Sequence, residues 1–230
     1  YTDGARPGIF SRRPAPIQVN YLGYPGTMGA PYYDYILTDG IVAPFEQQQF
    51  YSEKLVHLPH CYLPIDSARS LSQNPSSRKG AGLPDGAFVF CAINATHKLT
   101  PKIFDIWMRL LSGVESSVLW LSQATPHVMD NLKREAAARG IPSDRLVFAP
   151  FTSSNEDHLA RLSLADLFLD TQPYNAHASA CDAIWAGVPM VTALGKVFAG
   201  RVGASILTAA GLPELIASSL SDYETLAFRL

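Results

Sequence analysis

The sequence predicts an α/β protein built on a parallel sheet, most clearly in its second half. From residue 87 onward, short apolar runs of the kind found in buried parallel strands alternate with longer helical segments. The helical period is clearest in 101–111, whose apolar side chains fall on one face: Ile103, Phe104, Trp107, Leu110 and Leu111. Strands that alternate with helices imply a parallel sheet covered by helices on both faces.

Each element of this half is marked by its own residues. Buried strands are expected where the apolar runs lie, at 88–91, 118–121, 146–148, 167–169 and 190–192. Helices are expected at 101–111, 126–139, 155–162, 178–186, 204–210 and 222–230. Gly140 ends the second helix, and Gly187 with Pro189 stops the fourth, because glycine suits a left-handed helix end and proline cannot continue a helix.

The first part of the chain carries fewer elements. Strands are expected at 17–21, 33–38 and 54–58, with a helix at 44–51 that begins on a proline. A glycine-rich turn at 22–29 would let the backbone approach a ligand, although an ordinary tight turn has the same composition. Hydrophobic periodicity is then lost in a stretch rich in Ser, Pro and Gly. We therefore expect part of a first domain at 1–65, a linker at 66–86 and a second domain at 87–230.

Composition narrows the classes of function. Apolar residues make up 47% of the 230 residues, and the formal net charge of −2 argues against a nucleic-acid partner. No apolar run approaches the length of a membrane span. Three cysteines without a CxxC pair predict free thiols in a reducing, cytoplasmic compartment. Because the chain opens with Tyr1 rather than Met, we expect it to be a segment of a longer protein.

The chemistry is expected around residues 165–192, which have the pattern of a strand, a loop, a helix and a strand. Ligands of open parallel sheets bind at the carboxyl ends of the strands, where this loop would lie. A helix that begins with Ala178 and Ser179 lets a phosphate approach its free N–H groups and its positive dipole end. Asp182, one turn later, would reach a ribose hydroxyl beside that phosphate. Such Ser and Asp residues more often cap a helix, so the pattern alone leaves both interpretations open.

A second candidate group follows the first strand of this half. Lys98 lies where its ammonium would neutralise charge on a leaving diphosphate, although a solvated loop lysine is the ordinary alternative. No Asp-x-Asp motif occurs, and Asp166 and Asp170 flank a buried strand, which makes them poor metal ligands. His57 and His60 lie on an extended segment without a nearby carboxylate pair. We therefore expect no metal site.

Several of these motifs resemble one family. LDTQPYNAHASACDAIWAGVPMVT resembles the nucleotide-sugar signature of the protein O-linked N-acetylglucosaminyltransferases and their Spindly-type relatives. RPAPIQVNYLGYPGT, YSEKLVHLPH and FCAINATHKLTP resemble further pieces of the catalytic region, so the resemblance runs along almost the whole chain. It implies the GT-B glycosyltransferase fold, with a Rossmann-like donor-binding domain preceded by part of the first Rossmann-like domain. The short linker resembles the bacterial form, because animal members carry an inserted domain near it.

The resemblance assigns roles residue by residue. Lys98 is expected to contact the donor phosphates and, with His177, to serve catalysis. Ser153 through its backbone, His158 by stacking and Arg161 are expected to hold the uracil. The other implied donor-site residues are Leu22 and Pro25 on the glycine-rich loop, His97 beside the lysine, Asn155 where vertebrate members have a ribose-binding lysine, Tyr174 at the N-acetyl pocket, Ala178 and Ser179 at the diphosphate, and Asp182 at the ribose.

The function that the resemblance implies is transfer of N-acetylglucosamine from UDP-GlcNAc to Ser or Thr hydroxyls of proteins, with inversion and without a metal or other cofactor. Its partners would be a UDP-sugar donor and protein acceptors, recruited in full-length members by TPR repeats, with no nucleic acid and no membrane. A protein O-fucosyltransferase that uses GDP-fucose is one alternative. Spindly-type fucosyltransferases, however, tend to have Glu in place of Asp182 and to lack a counterpart of His177. A catalytically silent UDP-binding or scaffold module is the other alternative.

Overall fold

A computed structural model of the chain describes residues 4–72 and 77–230, whose strands form a smaller and a larger parallel sheet. The smaller sheet has the order β1-β2-β3, with β1 at Val19–Asn20, β2 at Tyr35–Thr38 and β3 at Lys54–His57. In its register, Ile36 of β2 lies opposite Leu55 of β3. Both side chains are buried in the same core as one face of the larger sheet, so the two sheets pack together.

The larger sheet has the strand order β6-β5-β4-β7-β8-β9, and each neighbouring pair is parallel. The chain first builds outward on one side of β4 and then returns to its other side at β7, so the strand order reverses there. Ligands of open α/β sheets bind at the carboxyl ends of the strands beside such a reversal. The strands are β4 (Phe88–Ala92), β5 (Ser117–Ser122), β6 (Leu146–Ala149), β7 (Leu167–Leu169), β8 (Met190–Ala193) and β9 (Ile216–Ala217).

Helices cover both faces of the larger sheet, as predicted. They are α1 (Pro101–Gly113), α2 (Pro126–Ala138), α3 (Asn155–Leu162), α4 (Ala178–Trp185), α5 (Val202–Ala209) and α6 (Leu220–Arg229). Phe90 and Leu119 face a core shared with α1, α2 and α6, whereas Cys91 and Trp120 face a core shared with α3, α4 and α5. Because both faces are buried, the strands are apolar throughout rather than alternating. Within the described ranges, no helix combines the length and apolar character needed to cross a bilayer.

The structure corrects some of the predicted bounds. The helix expected at 44–51 is a 3₁₀ helix at Phe45–Phe50 that buries none of its residues, so no apolar face stabilises a full α-helix there. The strand expected at 17–21 is paired only at Val19–Asn20. The helix expected at 204–210 begins earlier, at Val202. β9 was not predicted, because a two-residue strand is too short to show a period.

Asp39 joins the two sheets. It follows β2, is only 1% exposed, and accepts hydrogen bonds from the backbone N–H groups of Ile41 and Val42, each at 2.9 Å. It also accepts one from the Ser205 hydroxyl of α5 at 2.6 Å. Arg201 adds a second link, since its Nε donates to the carbonyl of Ile41 at 2.6 Å. These contacts hold the end of β2 against α5.

The segment 66–86, here called the connector, runs from the smaller sheet to β4. Its residues 73–76 lie outside the part that the structure describes. Arg78 anchors its second half, since Nη2 is paired with Asp166 at 2.8 Å and Nη1 donates to the carbonyl of Ala87 at 2.7 Å. The Asp166 carboxylate also accepts the N–H of Val89 at 2.8 Å. Asp166 therefore joins the connector to the start of β4.

Candidate functional site

A cleft of about 420 Å³ opens at the carboxyl edge of the larger sheet. Residues at the carboxyl ends of β4, β5 and β6 line it together with one side of α3 and the first turn of α4. It brings together five of the residues predicted for donor binding, which are Ser153, Asn155, His158, Arg161 and Ser179. The remaining lining residues are Ile93, Asn94, Ala95, Ser122, Phe151, Thr152 and Ser154.

His158 and Arg161 form one wall of this cleft from α3. The helix begins after Ser154, whose hydroxyl accepts the N–H of Asp157 at 3.2 Å and so caps the first turn. Arg161 is 8% exposed, donates to the carbonyl of Pro150, and places Nη2 3.1 Å from Nδ1 of His158. Because guanidinium only donates, Nδ1 of His158 accepts and a neutral ring carries its hydrogen on Nε2.

Asp182 meets this pair from α4. Its Oδ2 lies 3.6 Å from Nε2 of His158, and its Oδ1 accepts a hydrogen bond from Arg69 of the connector. Burial opposes ionisation of Asp182, but His158 and Arg69 outweigh it and hold the pKa of this carboxyl below its usual value. Sequence reasoning expected Asp182 and missed Arg69, which lies in a segment without any recognisable motif.

Lys98, Tyr174 and His177 form a second cluster at the ends of β4 and β7. Lys98 donates from Nζ to the carbonyl of Asn175 at 2.9 Å and lies 4.5 Å from the centroid of the Tyr174 ring. That ring stacks on His177, with centroids 4.9 Å apart and planes 21° apart. Asn94 of the cleft lies 3.3 Å from the Thr171 hydroxyl of the same loop, so the cluster adjoins the cleft.

Burial sets the charge states in this cluster. It lowers the pKa of Lys98, while the nearby Asp170 carboxylate opposes that shift. Burial, with the charge of Lys98, also lowers the pKa of His177 to about 4, so the ring is neutral at pH 7. His177 Nε2 lies 3.2 Å from the carbonyl of Ala199 and must donate to it. Its Nδ1 is therefore the acceptor of the neutral ring.

Asp170 supports this cluster from below, a role that sequence reasoning did not assign. It is 1% exposed and accepts from the backbone N–H groups of Thr171 at 2.8 Å and Ala176 at 2.6 Å, and from the Thr192 hydroxyl at 2.6 Å. Burial raises its pKa to about 7 despite these donors. Asn175 adds to the support, since it donates to the carbonyl of Thr171 at 2.8 Å. The apolar strand that runs directly into Asp170 is the signal that could have identified it.

Helix α4 begins at Ala178, directly after this loop. His177 precedes it with a non-helical backbone and makes no side-chain cap, which leaves the first N–H groups of the helix without a capping side chain. Ala178 is exposed, and Ser179 lines the cleft. The positive end of the helix is therefore open toward the space between the cleft and the Lys98 cluster.

Leu22, Pro25 and His97 belong neither to the cleft lining nor to the contacts around Lys98 and Asp182 described above. Leu22 and Pro25 belong to the loop after β1, where Leu22 adopts a φ of 65° and is 46% exposed. That loop approaches the Lys98 cluster through Tyr24, whose charge adds to burial in raising the pKa of Tyr174. His97 is exposed beside Lys98. Among the residues that the structure describes, no group of three or more His, Cys, Asp or Glu side chains converges to hold a metal.

Known proteins resemble this chain in sequence and in fold. It is 42% identical over 237 aligned residues to the probable UDP-N-acetylglucosamine–peptide N-acetylglucosaminyltransferase SEC of Arabidopsis thaliana. That alignment covers 100% of this chain and 24% of the relative. A mutant of the O-GlcNAc transferase of Thermobaculum terrenum superposes with a TM-score of 0.84 at 30% identity, over 96% of this chain and 41% of that one. HepE of Anabaena, solved with UDP and glucose, has a TM-score of 0.51 at 15% identity, over 85% and 57% of the two chains, and supports the fold alone.

These neighbours are glycosyltransferases of the GT-B fold, which confirms the predicted fold class. The chain spans about a quarter of the length of the curated relatives it matches. The family model described as glycosyl transferase family 41 matches residues 1–74 and 70–230. The chain therefore belongs to glycosyl transferase family 41.

Proposed function

We propose that this chain forms the donor-binding part of an inverting glycosyltransferase that moves N-acetylglucosamine from UDP-GlcNAc to Ser or Thr hydroxyls of proteins. The observation that carries it is a cleft suited to a nucleoside lying next to a cationic cluster suited to a diphosphate. The names of SEC and of the Thermobaculum enzyme describe this same transfer or its product linkage. Support thus comes from the geometry and from relatives independently.

The nucleoside end is formed by His158 and Arg161 of the cleft wall, with Asp182 beside His158. The flat His158 ring offers a stacking surface for a pyrimidine, and Arg161 fixes that ring through Nδ1 at 3.1 Å. The backbone at Ser153 lines the same cleft and supplies hydrogen-bonding groups for the edge of the base. Asp182, kept ionised by its two neighbours, accepts hydrogen bonds from the ribose hydroxyls.

The phosphate end is Lys98 with the start of α4. The Lys98 ammonium has three donors, and the carbonyl of Asn175 uses one of them, so two remain for diphosphate oxygens. Ala178 and Ser179 add the positive end of the helix. These groups are aimed at the place where negative charge develops as UDP leaves, which is the arrangement that stabilises such a transition state.

In the transfer step the acceptor oxygen bonds to the anomeric carbon as the bond from that carbon to the UDP oxygen breaks. The electron pair of the broken bond goes to the UDP oxygen, and Lys98 stabilises the negative charge that develops there. The proton of the acceptor hydroxyl passes to a base. His177 is a poor base at neutral pH because its pKa is about 4. We therefore assign His177 to positioning the sugar, through the acceptor Nδ1 and the stacked Tyr174 ring. We further propose that no metal is needed, which activity in excess EDTA would test.

Protein acceptors and a cytoplasmic location complete the proposal. The names of the relatives support peptide acceptors. The thiols of Cys61, Cys91 and Cys181 are free, which is compatible with a reducing compartment. Asn155, at the first turn of α3, lacks the positive charge of the lysine that vertebrate members have there, so the nucleotide preference needs a direct test.

Calorimetric titration of UDP and of GDP into the chain tests the donor assignment. We expect micromolar UDP binding that Lys98→Ala weakens by about 1.5–3 kcal/mol, the size of a charged hydrogen bond. Lys133→Ala is the matched control, since this lysine of α2 does not line the cleft. Preference for GDP would favour the fucosyl alternative. UDP binding without sugar transfer by the longer protein would favour the silent module, and a folded chain that binds neither nucleotide would contradict the proposal.

A further inference from the structure

Given the proposed function, on which this inference rests, we propose that Arg69 of the connector is a positioning residue of the donor site. It acts through Asp182, which it holds in place for the ribose and whose charge it neutralises. Nothing in the sequence places Arg69 near the donor, because it lies 113 positions before Asp182. The contact exists because residues 69–72 of the connector lie against α3 and α4.

The connector is fixed at this point by two contacts. Arg69 donates from Nη2 to Oδ1 of Asp182, and the two side chains are only 14% and 17% exposed. Three residues later, the N–H of Ser72 donates to the carbonyl of Glu156 in the first turn of α3 at 3.1 Å. A mostly buried ion pair of this kind is less screened by solvent than a surface pair. Arg69 is thus held against Asp182, next to the cleft residue His158, rather than extended into solvent.

Arg69 completes a chain of directed contacts. Arg161 donates a hydrogen bond to Nδ1 of His158. The hydrogen on Nε2 of His158 faces Oδ2 of Asp182, and Arg69 donates to Oδ1 of the same carboxylate. Each carboxylate oxygen has two acceptor positions, so Asp182 keeps capacity for both ribose hydroxyls while its two neighbours fix its orientation. Without Arg69, His158 alone would orient the carboxylate.

Besides Arg161, the charged side chains that α3 and α4 bring to this place are carboxylates, which favour a second cation here. The first turn of α3 offers neutral Asn155 followed by Glu156 and Asp157, and α4 adds Asp182 one turn after the diphosphate position. A nucleoside diphosphate brings more negative charge to the same edge. Arg69 neutralises Asp182, so the carboxylate binds the ribose without repelling the neighbouring diphosphate. Removal of Arg69 should therefore weaken both the ribose contact and the charge balance.

The test is calorimetric titration of UDP and uridine into the wild-type chain and into Arg69→Ala, Arg69→Lys, Asp182→Asn and the double variant Arg69→Ala/Asp182→Asn. We expect Arg69→Ala to weaken UDP binding about tenfold, equivalent to ~1.4 kcal/mol, and to weaken uridine binding as well. Arg69→Lys should restore part of the loss, because it keeps the charge but not the planar fork. The double variant should bind no more weakly than Asp182→Asn alone, since Arg69 acts through Asp182.

The matched control is Arg109→Ala, which removes an arginine from another ion pair, formed with Glu224 at 2.6 Å between α1 and α6. It should leave UDP affinity unchanged, and thermal unfolding of each variant shows that it is folded. Unchanged or tighter UDP binding by Arg69→Ala, with wild-type binding intact, would overturn the role of Arg69 alone. Additive losses in the double variant would overturn it too. A folded wild type that binds no UDP would overturn the proposed function and this inference together.

Discussion

The two ends of the donor site are built in different ways. At the nucleoside end, side chains hold one another in place, as Arg161, His158, Asp182 and Arg69 come from two helices and the connector. At the phosphate end, backbone groups arranged around the buried Asp170 carboxylate hold the loop that follows β7. The nucleoside end depends on charged side chains brought together from distant segments. The loop at the phosphate end depends on one continuous motif. Damage to the first should therefore change affinity, and damage to the second should change stability.

The largest expected effect is a loss of stability when Asp170 is removed. Asp170→Ala leaves two buried backbone N–H groups and the Thr192 hydroxyl without their acceptor, and we expect it to lower the free energy of unfolding by about 4 kcal/mol. Thr192→Val, the matched control, removes only the hydroxyl donor and should cost about 1 kcal/mol. Urea unfolding followed by circular dichroism measures both. A small loss in Asp170→Ala would show that the backbone holds this loop unaided.

A smaller effect at the same end is the dependence of stability on pH through His177. Its pKa is about 4 in the folded chain and 6.5 when unperturbed, so the stability it contributes is present above pH 6.5 and is lost as the pH falls toward 4. Compared with His177→Gln, the wild type should lose about 2 kcal/mol more between pH 7.5 and 4.5. Asp170 titrates in this window with the opposite sign, but it is common to both proteins. Parallel losses in the two proteins would contradict a buried, neutral His177.

The two ends also differ in how far the sequence predicted them. The motif around 165–192 is contiguous, so its apolar strand, polar loop and small-residue helix start predicted β7, the loop with His177 and the start of α4. Lys98 was expected from a separate motif after β4. Strands and helices of the larger sheet were predicted for the same reason, since each carries its own apolar pattern. The 3₁₀ helix at Phe45–Phe50 and the short β9 carry no such pattern.

The contact between Arg69 and Asp182 shows why other contacts of the site could not be predicted from the sequence. Its partners lie 113 positions apart, and one of them belongs to a stretch rich in Ser, Pro and Gly without periodicity. The local hydrophobic pattern indicates which face of a helix or strand is buried. It does not indicate where a long connector contacts two helices. The sequence places Asp170 directly after a predicted strand. Its hydrogen bonds with Ala176 and Thr192, however, form only in the folded loop.

A crossed titration tests the division of the donor site into two ends most directly. UDP and uridine are titrated into the wild type, Lys98→Ala and His158→Ala, and folding is checked by circular dichroism. We predict that Lys98→Ala weakens UDP binding but leaves uridine binding unchanged, because only UDP carries the diphosphate. His158→Ala should weaken both ligands by the same factor, about tenfold for one base stacked on one ring. Equal weakening of uridine and UDP by Lys98→Ala, or loss of UDP binding alone in His158→Ala, would contradict this assignment of the two ends.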